Sequence, residues 1–419
     1  MENNSKTISV YKVVKSLSYS MDLISQTVVG HHKKVSYISL QLGKELNLKK
    51  EKLNKLVVSA LIHDLGVFYL NQKYSDLSFD SKRNKHAEIG YNLLNRNFPI
   101  KEIPQIIRYH HHDWKNNNED IPLLSNILHL ADRIAVLIKD EPTILNQKNS
   151  IIKIIKRNTP QRFFQDGVQA FENLANKEYF WLDLISDSKI EKEIDNFFAP
   201  YKWKINFEEL QKISYLISHI IDFRSSFTAT HSEGIATISS LLSKYFNFTK
   251  KNQQKMKIAG YLHDIGKLIV PPDILNKKEK LNNKEWSLMK THTYYTYQAL
   301  SNSKKLDNIK KWASFHHEKL NGKGYPFHLT AENLSLGSRI MAVADIFTAI
   351  TEDRPYRKGM PKEKVKGILN EMAEMKEIDK EVTTVIIDNF DEFNQIRKKS
   401  QLKVKKYFQN FNQKTKKIL

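Results

Sequence analysis

The sequence predicts an all-α protein built as two tandem helical bundles. Three observations carry that expectation. Apolar residues recur at one-face helical spacing in Leu210, Ile213, Leu216, Ile217, Ile220 and Ile221, and again in Ile340, Val343, Ala344, Phe347 and Ile350. Glycine is sparse, 13 residues in 419, and no alternating strand pattern is sustained. Metal-ligand residue types occur in two sets that follow the same order along the chain.

In the second half the set is His231, His263-Asp264, His292, His316-His317 and Asp345. In the first half it is His32, His63-Asp64, His86, His110-His111 and Asp132. The pairwise separations run 199, 200, 200, 206, 206, 206 and 213, drifting in small steps as a duplicated domain with short loop insertions would. The flanks agree, since Ala60-Leu-Ile-His-Asp-Leu-Gly66 parallels Gly260-Tyr-Leu-His-Asp-Ile-Gly266. Such a period is too long for a solenoid, so two copies of one domain is the simpler reading. His31, His112, His129, His219 and His328 fall outside both sets.

The expected organisation is a first domain with connecting helices over residues 1–205, a second over 206–396, and a basic tail over 397–419. Between the two ligand sets, Gln161–Phe164 and Tyr179–Trp181 are aromatic enough to pack as closing helices. The tail follows the last acid, Glu392, and carries basic residues from Arg397 to Lys417. It reads as a solvated, partly helical segment, or else as an electrostatic patch. Its apolar Val404, Phe408 and Phe411 offer one route to a homodimer.

A formal charge of +21 attracts anions, including nucleic acid, acidic lipid and phosphorylated small molecules. No helix-turn-helix, zinc-finger or RNA-binding aromatic signature supports a nucleic-acid partner. The absence of cysteine excludes disulfides, thiolate zinc sites and cysteine nucleophiles. The start lacks a signal-peptide pattern, and the apolar stretches over Ile213–Ile221 and Ile340–Ile350 fall short of the roughly 20 residues of a membrane span. A cytoplasmic protein without a membrane span is expected.

Five histidines and two aspartates exceed the needs of one ion. Imidazole suits Fe, Mn, Zn or Ni, and a carboxylate can bridge two ions. Adjacent His263-Asp264 on a helix end can place both side chains near one point, while His316-His317, diverging by about 100° on a helix, need either a helix end or two metals in reach. Two divalent transition-metal ions, Fe or Mn in the first instance, fit the set, about 3.5–4 Å apart as in two-metal hydrolysis. A water shared by two cations loses a proton easily and becomes the nucleophile.

The motifs then become specific. His263-Asp-Ile-Gly-Lys267, His316-His-Glu-Lys-Leu-Asn-Gly-Lys-Gly-Tyr-Pro326, Ser338-Arg-Ile-Met-Ala-Val-Ala-Asp345 and Asp353-Arg-Pro-Tyr-Arg357 together resemble HD-GYP domains. The match runs over about residues 210–394. The resemblance implies hydrolysis of a cyclic dinucleotide, cyclic di-GMP first and mixed cyclic GMP-AMP second, to the linear form. It implies His231, His263, Asp264, His292, His316, His317 and Asp345 as metal ligands, with Asp264 and Lys267 as catalytic residues. Substrate contacts carry over to Gly322, Gly324, Tyr325, Arg354 and Arg357, and a signalling partner at the Gly-Tyr-Pro loop is a further expectation. Relatives with three metals carry a glutamate where Phe227 stands, which favours two ions here. Asn321 and Thr348 also depart from the family pattern and put the substrate in question. Two rival readings are a hydrolase of another nucleotide phosphoester and a non-catalytic metal-bound interaction module.

The first half resembles a plain HD domain. Its ligand positions are His32, His63, Asp64, His86, His110, His111 and Asp132, but Val67 replaces the lysine and the Gly-Tyr-Pro loop is missing. Three roles fit: a regulatory or structural metal domain, a second hydrolase, or a relic without metal.

Overall fold

The computed structural model describes residues 8–22, 30–70, 85–95, 98–139, 143–200, 203–224, 230–353 and 357–416. Helices dominate, and the only strands among the described residues are Ile8–Ser9 and Lys204–Ile205, which form one small sheet. The chain groups into two compact units, Ser9–Lys204 and Ile205–Lys417.

Among the described residues the first unit opens with helices Val10–Asp22, His31–Glu45, Lys50–Ile62, Lys85–Leu94, Glu102–Arg108 and Leu123–Leu137, with the one-turn helix Val67–Leu70 between the third and fourth. The window Lys50–Leu70 is long and apolar enough to cross a membrane by composition, yet 83% of it is buried inside the protein, as in a core helix. Its centre carries His63-Asp64, which no lipid-facing helix would tolerate unpaired. The closing helices Lys148–Arg157, Gln165–Ala175, Glu178–Leu184 and Asp187–Phe198 follow. Phe163, Phe171, Phe180 and Trp181 are fully buried there, and the Trp181 indole donates to the Ala175 carbonyl at 2.8 Å. The Tyr37 hydroxyl donates to Asp183 at 2.8 Å, tying these helices to His31–Glu45.

In the second unit the order repeats: Phe207–Arg224, His231–Tyr245, Lys250–Leu262, Asn283–Ala299, Asp307–Ser314 and Leu336–Thr351. The stripe Leu210, Ile213, Leu216, Ile217, Ile220 and Ile221 is buried throughout. Each such side chain contributes about 1.5–3 kcal/mol relative to exposure. Some helix starts are capped by side chains. Asn282 and Glu285 form a reciprocal capping box, and Ser335 accepts from the Ser338 amide at 3.3 Å. Helices Lys362–Glu374, Lys380–Asp388 and Phe390–Lys416 complete the unit.

The last helix corrects the expected tail. Residues from 397 onward do not form a separate solvated segment. Arg397, Gln401, Val404, Phe408 and Phe411 are buried, at i, i+4, i+7 spacing, while Lys403, Lys405 and Lys406 point outward. Phe408 packs 4.8 Å from the His219 ring and 4.6 Å from Phe223, with Phe411 at 5.7 Å from Phe223. The apolar residues that offered a dimer contact therefore cover helix Phe207–Arg224 of their own unit. Composition suggested a basic tail because the run of lysines masked the apolar period.

Candidate metal centre

In the second unit the paired ligands sit where helices end. His263 and Asp264 follow helix Lys250–Leu262, and His316-His317 follow Asp307–Ser314. His231 opens its helix, while His292 and Asp345 come from within Asn283–Ala299 and Leu336–Thr351. Three imidazoles are aimed by the backbone. The Nδ1 atoms of His263, His292 and His316 lie 2.8, 2.7 and 2.7 Å from the carbonyls of Gly260, Met289 and Ala313. A carbonyl only accepts, so each Nδ1 carries the proton and each Nε2 offers its lone pair to the site.

Asp264 stands between two donor groups. Its Oδ2 lies 3.0 Å from His263 Nε2, and its Oδ1 lies 3.5 Å from His292 Nε2 and 4.0 Å from His316 Nε2. Asp345 is shared likewise, 3.4 Å from His231 Nε2 and 3.8 Å from His317 Nδ1. The donor atoms of His231, His263 and Asp264 lie within 4.8 Å of one another, as do those of His292, His316 and His317. Asp264 Oδ1 is buried without a hydrogen-bond partner, a costly state for a carboxylate that a cation would relieve. The donor set thus fits two divalent ions with Asp264 between them.

The electrostatics agree. Burial pushes His292 down to about 3, which keeps it a neutral donor. Burial also opposes charge on His231, but Glu352 and then Asp345 outweigh it and raise that ring to about 10. Burial would raise Asp264, yet His263 and Lys267 hold it well below the usual carboxylate range. The pocket favours cations, a proton included.

Around this cluster the structure sorts the expected substrate contacts. Lys267 Nζ lies 2.5 Å from Asp264 Oδ2, with a fifth of its side chain exposed. The Tyr325 ring lies 5.0 Å from the His317 ring and is half-buried. Trp286 meets Tyr325 edge-on at 6.1 Å and is 45% exposed, so it belongs to the same rim. No motif contains Trp286. Its only signal was a large aromatic six residues before a ligand. Gly322 adopts φ +74° at the loop's turn. At Gly324 a side chain would strike the Glu318 and Lys319 backbone, so that glycine lets the loop close on itself. Glu318 staples the loop by accepting from the Phe327 amide at 2.7 Å and the Leu329 amide at 3.0 Å. Asn321 accepts from the Lys323 amide and donates to the Met375 carbonyl, both at 3.1 Å. A carboxylate could not make the second bond. Arg357 donates to the Ala349 carbonyl at 2.6 Å. Arg354 and Phe227 lie outside the described residues.

One group escaped the sequence reading entirely. Glu352 is buried, and its Oε1 lies 2.9 Å from His231 Nδ1. It stands seven residues after Asp345, two helical turns on, which puts both carboxylates on one face.

The first unit repeats the cluster with one correction. His31, not His32, faces the site, with Nε2 at 3.2 Å from Asp132 Oδ1 and 3.8 Å from Asp64 Oδ2. His32 turns to Asp22, with Nδ1 2.6 Å from Asp22 Oδ1 and its amide donating to the same oxygen at 3.1 Å. Its counterpart is Ser232, whose hydroxyl donates to Asp222 at 2.9 Å. The repeat separation for the first ligand is therefore 200, as for His63 and Asp64, and the helices His31–Glu45 and His231–Tyr245 share it. His63 Nε2 lies 3.2 Å from Asp64 Oδ2. His86 Nε2 lies 3.3 Å from Asp64 Oδ1, 3.4 Å from His110 Nε2 and 2.8 Å from His111 Nε2. Asp64, His86, His110 and His111 form one group within 4.8 Å, and His31, His63 and Asp64 another. Two differences stand out. Val67 is fully buried where Lys267 stands in the other unit. Arg133, also fully buried, contacts Asp132 Oδ2 from Nε at 3.1 Å and Nη2 at 2.5 Å, where the other unit has Ile346.

Two HD-domain sequence families match the chain, over residues 28–137 and 215–382, one on each cluster. The chain belongs to the HD-domain family, with two copies of the domain. The chain is 28% identical over 382 residues to a 3'3'-cGAMP-specific phosphodiesterase of Vibrio cholerae, covering 87% of this chain and 88% of that protein. A second such phosphodiesterase of V. cholerae is 38% identical over 162 residues, 39% of this chain and 35% of that one. A cyclic di-GMP phosphodiesterase of Pseudomonas aeruginosa is 37% identical over 134 residues, 32% of each. The crystal structure of a cyclic GMP-AMP-specific phosphodiesterase from V. cholerae superposes with a TM-score of 0.62 at 21% identity, covering 92% of this chain and 98% of that one. At that identity the likeness is one of fold. The resemblance of the second HD domain to the HD-GYP type agrees with these relatives.

Proposed function

We propose that the second HD domain is a metal-dependent phosphodiesterase that opens a cyclic dinucleotide to its linear form. The observation that carries this reading is the pair of donor groups sharing Asp264, with Lys267 at the rim. His231, His263, Asp264 and Asp345 would hold one ion, and His292, His316 and His317, with Asp264 shared, the other. When bound, two such ions acidify water and neutralise charge on a phosphodiester.

The chain's own residues supply the rest. Asp264 stays ionised and so remains an oxygen donor to both groups. Lys267 places a compact positive charge where phosphate oxygens would lie. Tyr325 and Trp286 offer π-faces at the rim, and stacking is worth about 1–3 kcal/mol per base. Between substrates we favour 3'3'-cGAMP over cyclic di-GMP, reversing the order expected from the motifs. The support is that the relative aligned across both HD domains carries that description. For the first HD domain we propose a metal-holding role without hydrolysis, since Val67 and Arg133 replace a rim charge and an unencumbered carboxylate.

The test is anaerobic loading with Mn²⁺ or Fe²⁺, then incubation with 3'3'-cGAMP, cyclic di-GMP, a linear dinucleotide and a nucleoside triphosphate. Linear product from a cyclic dinucleotide, fastest from 3'3'-cGAMP, is expected. Metal-loaded protein that turns over neither cyclic dinucleotide would sink the assignment. Trp286→Ala should raise KM by about tenfold with a smaller change in kcat, the signature of a lost stacking contact.

A further inference from the structure

We propose that Glu352 is a positioning residue for His231, and that the last helix holds it in place, making Phe390–Lys416 a working part of the metal centre. The inference rests on the reading of His231 as a metal ligand.

The chain of contacts is continuous. His231 Nε2 faces Asp345 at 3.4 Å, and His231 Nδ1 faces Glu352 Oε1 at 2.9 Å. The other Glu352 oxygen accepts from Gln401 Nε2 at 3.1 Å. Gln401 also donates to the carbonyl of Thr230, the residue before His231, at 3.1 Å. Gln401 Oε1 accepts from Arg397 Nη1 at 2.5 Å, and Arg397 Nη2 donates to the Thr351 carbonyl at 3.0 Å. Gln401 and Arg397 thus bracket Glu352 from the last helix, one on its carboxylate and one on the preceding peptide. His231, Glu352, Arg397 and Gln401 are all buried.

The physics favours a functional purpose over simple packing. His263, His292 and His316 are aimed by carbonyls of their own helices. His231 is the first residue of its helix, and the group facing its Nδ1 is a side-chain carboxylate, Glu352, at 2.9 Å. A carboxylate on the far nitrogen of a ligating imidazole fixes its orientation and raises its basicity, and losing it typically costs about 10–100-fold in metal affinity. Burying four polar side chains is costly unless they find partners; here Glu352, Gln401 and Arg397 are joined by hydrogen bonds, and His231 stands at ion-pair distance from Glu352. In the first unit Lys139 stands where Glu352 does by the same repeat separation as Asp132 and Asp345.

The test measures metal, not turnover. Full-length wild type, Glu352→Ala, Glu352→Gln and Gln401→Leu are loaded with Mn²⁺ or Co²⁺ and titrated with a chromophoric chelator. One ion of the second domain should loosen by about 10–100-fold in Glu352→Ala. The same ion should loosen less in Glu352→Gln, which keeps the shape, and about threefold or more in Gln401→Leu, which touches no ligand. The Co²⁺ absorption band should shift in all three. A melting temperature that falls with metal affinity and the Co²⁺ band unchanged would overturn the proposal, leaving a packing role. Wild-type affinity in Gln401→Leu would overturn the part played by the last helix. Because the readout needs no substrate, these outcomes are independent of which phosphoester the enzyme cleaves.

Discussion

The two HD domains of this chain share a ligand plan and differ in what surrounds it. Both place an Asp from a His-Asp pair between two groups of donors, and both bury nearly every donor atom. In the second domain one carboxylate faces Lys267 and another, Glu352, faces the first histidine. In the first domain a buried guanidinium grips Asp132, and valine replaces the lysine. A full set of ligands is therefore a statement about cations. Charges aimed at a substrate are a separate matter, and Lys267 has Val67 as its counterpart in the first domain.

That contrast can be tested by substitution, beginning with the largest effect. Asp264→Ala should lower turnover of the cyclic dinucleotide by at least ~10³-fold, because both donor groups lose their shared oxygen. Asp64→Ala should lower it by less than about tenfold, and equal losses in steady-state assays would erase the distinction between the domains. Lys267→Val, which gives the second domain the residue of the first, should cost ~10² in kcat with metal content retained. Ile346→Arg, the reverse transplant, should draw a guanidinium onto Asp345 and weaken metal binding by about tenfold, as read by chelator competition.

The smallest effect concerns stability. His219 is buried among Tyr215, Tyr407 and Phe408, and burial pushes it down to about 3. An unfolded histidine titrates near about 6.5, so the unfolded state takes up the proton first as pH falls. His219's contribution to the second domain's stability should be fully present above that value and be lost between it and about 3, by at most ~1.4 kcal/mol per pH unit. His219→Phe should flatten that decline in denaturant melts. The first domain has Tyr19 at the equivalent position and lacks this particular contribution.

Much of this was legible in the sequence, for reasons that also explain the failures. Helical spacing identified the buried face of Phe207–Arg224, and the adjacency of His263-Asp264 and His316-His317 pointed to helix ends, one of the options open for the second pair, which the structure supplies. Choosing His32 over His31 was an error of one residue. At the start of a helix, two neighbouring histidines are distinguished only by what each turns toward, and Asp22 lies far outside the motif. Arg133 was hidden because a lone arginine beside a ligand reads as a surface charge until its burial is known. Glu352 and Gln401 were hidden because their pairing joins segments 49 residues apart. The last helix was hidden by its lysines, which occupy every face but the one that packs.

The loop stapled by Glu318 has a consequence for how such a protein can change. The second histidine pair and the final ligand are seven residues further apart in the second domain than in the first, 28 against 21. The surplus falls in the loop between two helices, both anchored by ligands, and the loop's turn is closed by its own carboxylate and glycines. A segment that carries its own closure can be lengthened, shortened or exchanged without moving the ions' ligands. Such a scaffold separates the inheritance of chemistry from the inheritance of specificity, and tandem copies give one domain freedom to vary while its twin keeps working.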